Sequence, residues 1–420
     1  MMIDYIKYLH TLMDAENLRE NKLMKNLDES IHNYSSVSKT RYFKFSALQF
    51  AFWAMLAVYY PFFVVFLKEA GYSNTNIGII TSVNSVTIVI SQPFWGMISD
   101  KMRSVKKVFV FCMLAAGLSM LPLPFINSFL LMCICFAVIT FFESPGSPLL
   151  DSWIVSASRN ESFGYGHVRL WGSIGYAVFV WIFGMLFEVI DVSLMFPIFL
   201  VMALVTVFLT RFIKSDKPVN TVNIKDIKVG RLFKNFKYIS FLIFALFLFI
   251  PNKAAYTYLP NLIESVGGSR EQLGIASAVM AIFEVPVFFY SKQLLRRYSS
   301  VTLLLASAGV FILKQFLFTI VKTPIHIILI QPLQGLYYGL FLGAAVYYID
   351  TLAPDELKST SQTVASGFFV GLGGIIGNYG GGLIIDILGI HKIYSWGLII
   401  CILGTLFFVL TLLWQKVIKR

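Results

Sequence analysis

Long apolar stretches alternate with short polar connections through most of this chain. Charged residues crowd the first segment, through Lys44, and then become sparse. A helix that crosses a bilayer needs about 20 predominantly apolar residues. On that measure the pattern predicts about twelve such helices. The first six lie near Phe45–Leu67, Asn76–Ile98, Val108–Ile126, Phe129–Ser156, Val168–Phe187 and Leu194–Ile213. The second six lie near Tyr238–Ile263, Gln272–Leu294, Val301–Val321, Ile325–Leu352, Thr360–Ile385 and Tyr394–Trp414. The largest break, Lys214 to Lys237, is polar and basic and holds Pro218. The expected fold is therefore an all-α membrane protein, with twelve transmembrane helices in two pseudo-symmetric six-helix bundles. Its parts are an arm (1–44), a first bundle (45–213), a linker (214–237), a second bundle (238–415) and a tail (416–420).

The halves repeat one another. The stretch from Gly71 lays onto the stretch from Gly267 without gaps. Ile77, Gly78 and Ile79 then meet Leu273, Gly274 and Ile275, and Lys101 meets Arg297. Two similar six-helix halves are the mark of a transporter built by duplication, with a solute site between the halves near mid-bilayer.

Composition and charge sharpen this picture. Charged residues make up 13% of the chain and hydrophobic ones 57%. Soluble domains carry about 25% charged residues, so this composition points to a membrane protein. The net charge of +12 does not point to nucleic acid, because no Lys/Arg stripe accompanies a nucleic-acid-binding motif. The basic residues instead mark one side of the membrane. Lys101, Arg103, Lys106, Lys107, Arg159, Lys292, Arg296, Arg297 and Lys358 fall in alternate connections, and Lys416, Lys419 and Arg420 in the tail. The opposite connections hold only Lys68, Arg270, Lys322 and Lys392. The expectation is a multi-pass protein of the plasma (cell inner) membrane with both termini cytoplasmic.

No signal peptide is expected at the start. Ile3, Ile6, Leu9, Leu12 and Met13 recur at helical spacing, which fits either a surface-lying helix or a loosely ordered tail. Cys112, Cys133, Cys135 and Cys401 lie in apolar runs and read as small buried hydrophobes, with no metal site and no cofactor expected.

Charges inside apolar runs are the candidate chemistry, because a charge at mid-membrane costs about 2.5–3.5 kcal/mol and faces a cavity or a partner. Asp151 and Arg169 end and begin adjacent runs. Antiparallel neighbours can bring them together, either as ligands for a polyhydroxylated or carboxylated solute or as a salt bridge holding spans four and five. Glu143, about two turns before Asp151, is a candidate proton carrier or a polar contact to another helix, Lys253 included. Lys253, Glu284 and Lys314 lie within spans seven, eight and nine, where they read as a shifting charge network or as fixed pairs; Glu284 is the second candidate proton carrier. Asp350 reads as interfacial. Among the aromatics, Tyr59, Tyr60, Trp171, Tyr176, Tyr256, Tyr337 and Tyr338 stand beside polar or helix-breaking residues. The glycines from Gly371 to Gly382 permit close approach and bending of span eleven, and lack the ending of a phosphate loop.

Gly96, Asp100 and Lys101, followed by Arg103, Lys106 and Lys107, resemble the signature between spans two and three of the major facilitator superfamily. The family's glycine after the first basic residue is Arg103 here, and the basic cluster is displaced. The resemblance implies a gating role for Gly96, Asp100 and Lys101. A narrower resemblance covers spans four and five. Gly146, Ser147, Pro148 and Asp151, then Arg169, Leu170, Trp171 and Gly172, look like the lactose permease and phenylpropionate permease-like branches. That resemblance implies that Asp151 and Arg169 bind sugar hydroxyls and that Tyr176 stacks on the ring. Trp171 joins them as a candidate, with Gln334 and Tyr337 from span ten. Those two stand where lactose permease carries a proton-coupling His and Glu. Neither glutamine nor tyrosine exchanges a proton near neutral pH. A basic residue of lactose permease in span eleven has no equivalent here, so the family's coupling chemistry does not carry across.

The expected function is secondary active transport of a small polar organic solute, sugar-like or carboxylated, by alternating access. Proton-coupled symport is preferred, with the solute, protons and the lipid bilayer as partners and a monomer as the working unit. Export of a metabolite or drug by proton antiport is the alternative, and a non-transporting receptor a further one. No enzyme is expected, because the five histidines lie outside the span centres, and without a nucleotide-binding motif ATP is not expected to drive transport.

Overall fold

The computed structural model describes residues 39–158, 163, 165–213, 229–353 and 358–418. The amphipathic spacing near Ile3 and most of the expected linker lie outside them. The described chain is helical, with α1 at residues 39–57, α2 at Phe63–Glu69, α3 at Asn74–Lys101, α4 at Val105–Met120 and α5 at Phe129–Glu143. The first half closes with α6 at Gly146–Ser158, α7 at Tyr165–Val189 and α8 at Met195–Thr210. The second half holds α9 at Phe236–Thr257, α10 at Leu259–Ser265, α11 at Arg270–Arg297 and α12 at Ser300–Thr319. It ends with α13 at Pro324–Leu352, α14 at Lys358–Ser366, α15 at Gly373–Leu388 and α16 at Ile390–Ile418. Among the described residues ten helical segments are long and apolar enough to cross a membrane. Residues 39–69 and α11 supply the other two rods.

Three expected spans are broken. The first turns at residues 58–62, around Pro61. The fourth breaks at Ser144 and Pro145, and the seventh at Tyr258, before Pro260. Proline withholds a backbone donor and disfavours the helical region in the residue before it, which is why hydropathy alone runs through these breaks. α9 begins inside the segment expected to be linker, and α16 continues into the expected tail.

The repeat has a structural counterpart. α3 and α11 each run 28 residues. The equivalent glycines Gly71 and Gly267 both turn left-handed, with φ of 85° and 76°. Ser73 and Ser269 then cap the two helices through the amides of Asn76 and Gln272.

Two seams join the halves: α7 on α11, and α3 on α15. Gly377 lets α15 lie on the Ile250 carbonyl of α9, and Gly382 lets it reach the Asn74 carbonyl of α3. Buried residues of the whole first half form one apolar core with Ala254–Ile263, Leu273–Ala281 and Phe318–Ile330 of the second. Tyr238–Phe249, Tyr337–Ile349 and Phe408 belong to a separate core within the second half. The halves are thus fused at one end of the bundle and parted at the other.

At the parted end Gly96 has open space around it, and Asp100 and Lys101 are exposed. Asp100 accepts the Arg103 amide through its backbone carbonyl, at 3.1 Å. Arg103, in the place of the family's glycine, is held at φ 49°. A side chain in that region costs about 1–2 kcal/mol. Arg103→Gly is therefore expected to be neutral or stabilising and Arg103→Val destabilising by about 1 kcal/mol or more. Thermal unfolding of the detergent-solubilised variants checks this order.

Candidate substrate cavity

The opening towards the parted end is walled by both halves. On the first half, α1 places Gln49 and Trp53 one turn apart, and α7 places Arg169 and Tyr176 two turns apart. Gly172 lies between these pairs. A Cβ there would stand 2.5 Å from Trp53 Cδ1 and 2.9 Å from Arg169 Nη1. Its absence lets the guanidinium lie 4.1 Å over the Trp53 ring, a cation–π contact that fixes its plane.

Asp151 of α6 stands beside this group. Ser147 donates to its Oδ2 at 3.4 Å, and Arg169 is its main electrostatic partner, with Tyr165 and Gln49 nearby. The two charges form no ion pair within 4.0 Å, so the salt-bridge geometry allowed by the sequence is not the one found. Asp151 Oδ1, Arg169 Nη1, both amide atoms of Gln49, Trp53 Nε1 and the Tyr176 hydroxyl are all buried without a hydrogen-bond partner. Each such atom costs about 1–3 kcal/mol when left unpaired. So many in one place describe a socket for a polar molecule, with donors and acceptors interleaved.

Glu143 ends α5 just above. It is 3% exposed and accepts from the hydroxyls of Tyr60 at 2.9 Å and Tyr59 at 3.2 Å. The break in the first rod brings both tyrosines to it. Lys253 is not its partner.

The second half faces this wall with Tyr256, Glu284 and Tyr338. Tyr256 is 39% exposed although it lies within the bundle, because it borders the opening. It faces Tyr176, while Glu284 looks towards Arg169. Tyr338 senses Glu284, Tyr256 and Arg169 together.

Several expected partners are separated. Trp171 projects away from Arg169 and donates to the Tyr42 hydroxyl at 2.9 Å. Lys253, Glu284 and Lys314 make no ion pair with one another among the described residues. Lys314 is instead enclosed in the second half, donating to Gln334 Oε1 at 2.6 Å, and Gln334 Nε2 donates to Asn252 Oδ1 at 2.9 Å. Helix rotation decides this: α12 turns Lys314 inward, while α11 turns Glu284 towards the other half. Tyr337 stacks on Phe311 at 4.2 Å. The four cysteines are free thiols.

Gln49, Trp53 and Asn252 were not among the sequence candidates. A glutamine in the middle of the otherwise apolar run from Phe45 was the available signal.

The fused end is latched across the halves. Lys68 pairs with Glu264 and Glu69 with Arg270. Asp386 of α15 caps α3, accepting from the amides of Asn74 and Thr75 at 3.2 and 2.7 Å and from both side chains at 2.7 and 2.6 Å. Asn261 and Tyr258 also donate to Asn74.

A family model described as MFS_1 like family matches residues 42–396. The uncharacterized transporter YwbF of Bacillus subtilis (strain 168) is 26% identical over 320 residues, 76% of this chain and 80% of that protein. The maltose permease of Geobacillus stearothermophilus is 26% identical over 343 residues, 80% of this chain and 85% of its own. A crystal structure of the nucleoside transporter NupG matches with a TM-score of 0.79 at 16% identity, covering 88% of this chain and 98% of that one.

Proposed function

Because this chain belongs to the MFS_1 like family, we propose that it carries a neutral, sugar-like solute across the plasma membrane by alternating access, in symport with protons. The unpaired cluster of Gln49, Trp53, Asp151, Arg169 and Tyr176 carries this reading. Hydroxyls both donate and accept, so a polyol satisfies acidic and basic groups that stand side by side without pairing. A carboxylated solute suits the site less, since Asp151 would repel it. The likeness to a maltose permease points the same way.

The basic connections favour a cytoplasmic setting for the parted end, with Asp100 and Arg103. The latched end is then extracellular, and the described state opens inward. Closing a gate at Gly96, Asp100 and Lys101 while the Asp386 latch opens would complete the cycle. Glu143 and Glu284 are the proton carriers in this scheme, one in each half; Glu284 faces Arg169, and Glu143 is tied to Tyr60, which lies near Tyr256.

Reconstituted vesicles test the coupling. A panel of radiolabelled glycosides and nucleosides is first screened for binding and counterflow. With the solute so found, an imposed inward proton gradient is expected to drive accumulation. Glu143→Gln is expected to keep counterflow and to lower gradient-driven accumulation about tenfold or more, equivalent to about 1.4 kcal/mol. Accumulation that ignores the gradient in the unmodified protein would rule out symport.

A further inference from the structure

Lys314 lies apart from the cavity wall, yet a chain of polar contacts runs from it to that wall. The side chain is 3% exposed. Its ammonium rests between the rings of Phe318 and Phe311, at 4.8 and 5.6 Å. No described carboxylate lies within ion-pair distance. From the neighbouring elements it meets Gln334 of α13, Cys401 of α16 and, through Gln334, Asn252 of α9, while Tyr337 of α13 and Tyr394 of α16 pack against the two flanking phenylalanine rings. Cys401 is the one ionisable group among these in electrostatic range.

Both amides of the chain sit one helical turn from cavity aromatics. Asn252 precedes Tyr256 by four residues on α9, and Gln334 precedes Tyr338 by four on α13. Asn252 is itself 5% exposed. Its Oδ1 is taken by Gln334, so its Nδ2 is the group left to face the opening.

The polarity of this chain follows from the charge at its buried end. An ammonium has only donors, so Gln334 must turn its oxygen to Lys314. The Gln334 amide nitrogen then points to Asn252 Oδ1, and Asn252 presents a donor outward. An uncharged amine has a lone pair and accepts. Both amides can then reverse, and Asn252 presents its oxygen instead.

We propose that Lys314, Gln334 and Asn252 form a proton-sensing relay that sets whether the second half offers the cavity a hydrogen-bond donor or an acceptor. The proton is exchanged with water; the amides transmit hydrogen-bond direction, not the proton. Occupancy at the cavity and protonation at Lys314 are then linked reciprocally, whichever carboxyl moves the transported proton. The consequence for transport rests on the cavity being the solute site. The relay does not, and it is testable with no solute present.

The test is pH-difference infrared spectroscopy of the full-length protein in lipid, with side-chain amides isotope-labelled in glutamine and asparagine. The pH is stepped from about 5 to about 10, between ordinary carboxylate and lysine titration. An amide carbonyl band is expected to titrate in the unmodified protein and to keep doing so in Asp151→Asn, which removes the solute-site charge. It is expected to be lost in Lys314→Met, which has no charge, and in Lys314→Arg, which keeps its charge throughout. Circular dichroism confirms that each variant is folded, and Lys314→Arg serves if Lys314→Met is not. No titrating amide band, or a band that survives in the folded Lys314 variant, overturns the relay. Unchanged solute affinity in Asp151→Asn with an intact band overturns the solute-site reading alone.

Discussion

Arg169→Ala is expected to lower solute affinity by about a hundredfold to a thousandfold, with the helices intact. Two losses combine. The solute loses a charge-assisted hydrogen bond from the guanidinium, worth about 1.5–3 kcal/mol. Asp151 loses its neighbouring cation and, with a solute sealing the cavity, becomes a charge without compensation. At about 1.4 kcal/mol per decade, about 3–4 kcal/mol gives that range. Arg169→Lys is expected to recover little, because a lysine cannot lie flat over Trp53 or offer a fork. Asp151→Asn keeps one acceptor and is expected to cost about tenfold. The double variant should fall short of the sum, since the uncharged amide that replaces the Asp151 carboxylate no longer needs a cation. Isothermal titration with the solute found by the binding screen measures all four. Unchanged affinity in Arg169→Ala and Asp151→Asn would remove these residues from the site.

The second large effect lies at the opposite end of the bundle. Asp386→Ala removes four hydrogen bonds between α15 and the start of α3, two of them to backbone amides that have no other partner within the helix. Loss of a helix cap alone costs about 0.5–2 kcal/mol, and the exposed setting keeps the total near that scale. The loss falls only on the state with this end closed. The equilibrium between closed and open is then expected to shift about tenfold towards open. Spin labels at Val189 and Ile320, exposed and on opposite halves, report it as a longer distance distribution in a background without the four cysteines. The same distribution in the Asp386→Ala protein would show that the latch does not hold the closed state.

Much of this organisation was legible in the chain. The gap-free match of Gly71 with Gly267 has its structural counterpart in two left-handed turns, two serine caps and two helices of equal length. Charges within apolar runs pointed to Asp151, Arg169, Glu143, Glu284 and Lys314. Less legible was who meets whom. Trp171 follows Arg169 by two residues and so faces a different side of α7. Lys314 and Glu284 look like partners among the intramembrane charges but are turned to different interiors. Gln49 and Asn252 carry no charge, so only their neighbours in the fold mark them.

Sequence by itself determined what a local rule can determine. Hydropathy sets the number of spans, serine and proline set their starts and breaks, and the basic connections mark a side. The tertiary structure decided the rest: the missing contact between Asp151 and Arg169, the joining of Gln49 and Trp53 to them, and the end at which the halves are fused. The physical reason is that helical periodicity repeats about every 3.6 residues along one chain, whereas contacts depend on the rotation and depth of each helix against its neighbours. Here those are set by the glycine-lined seams of α15 on α3 and α7 on α11. No single segment encodes them.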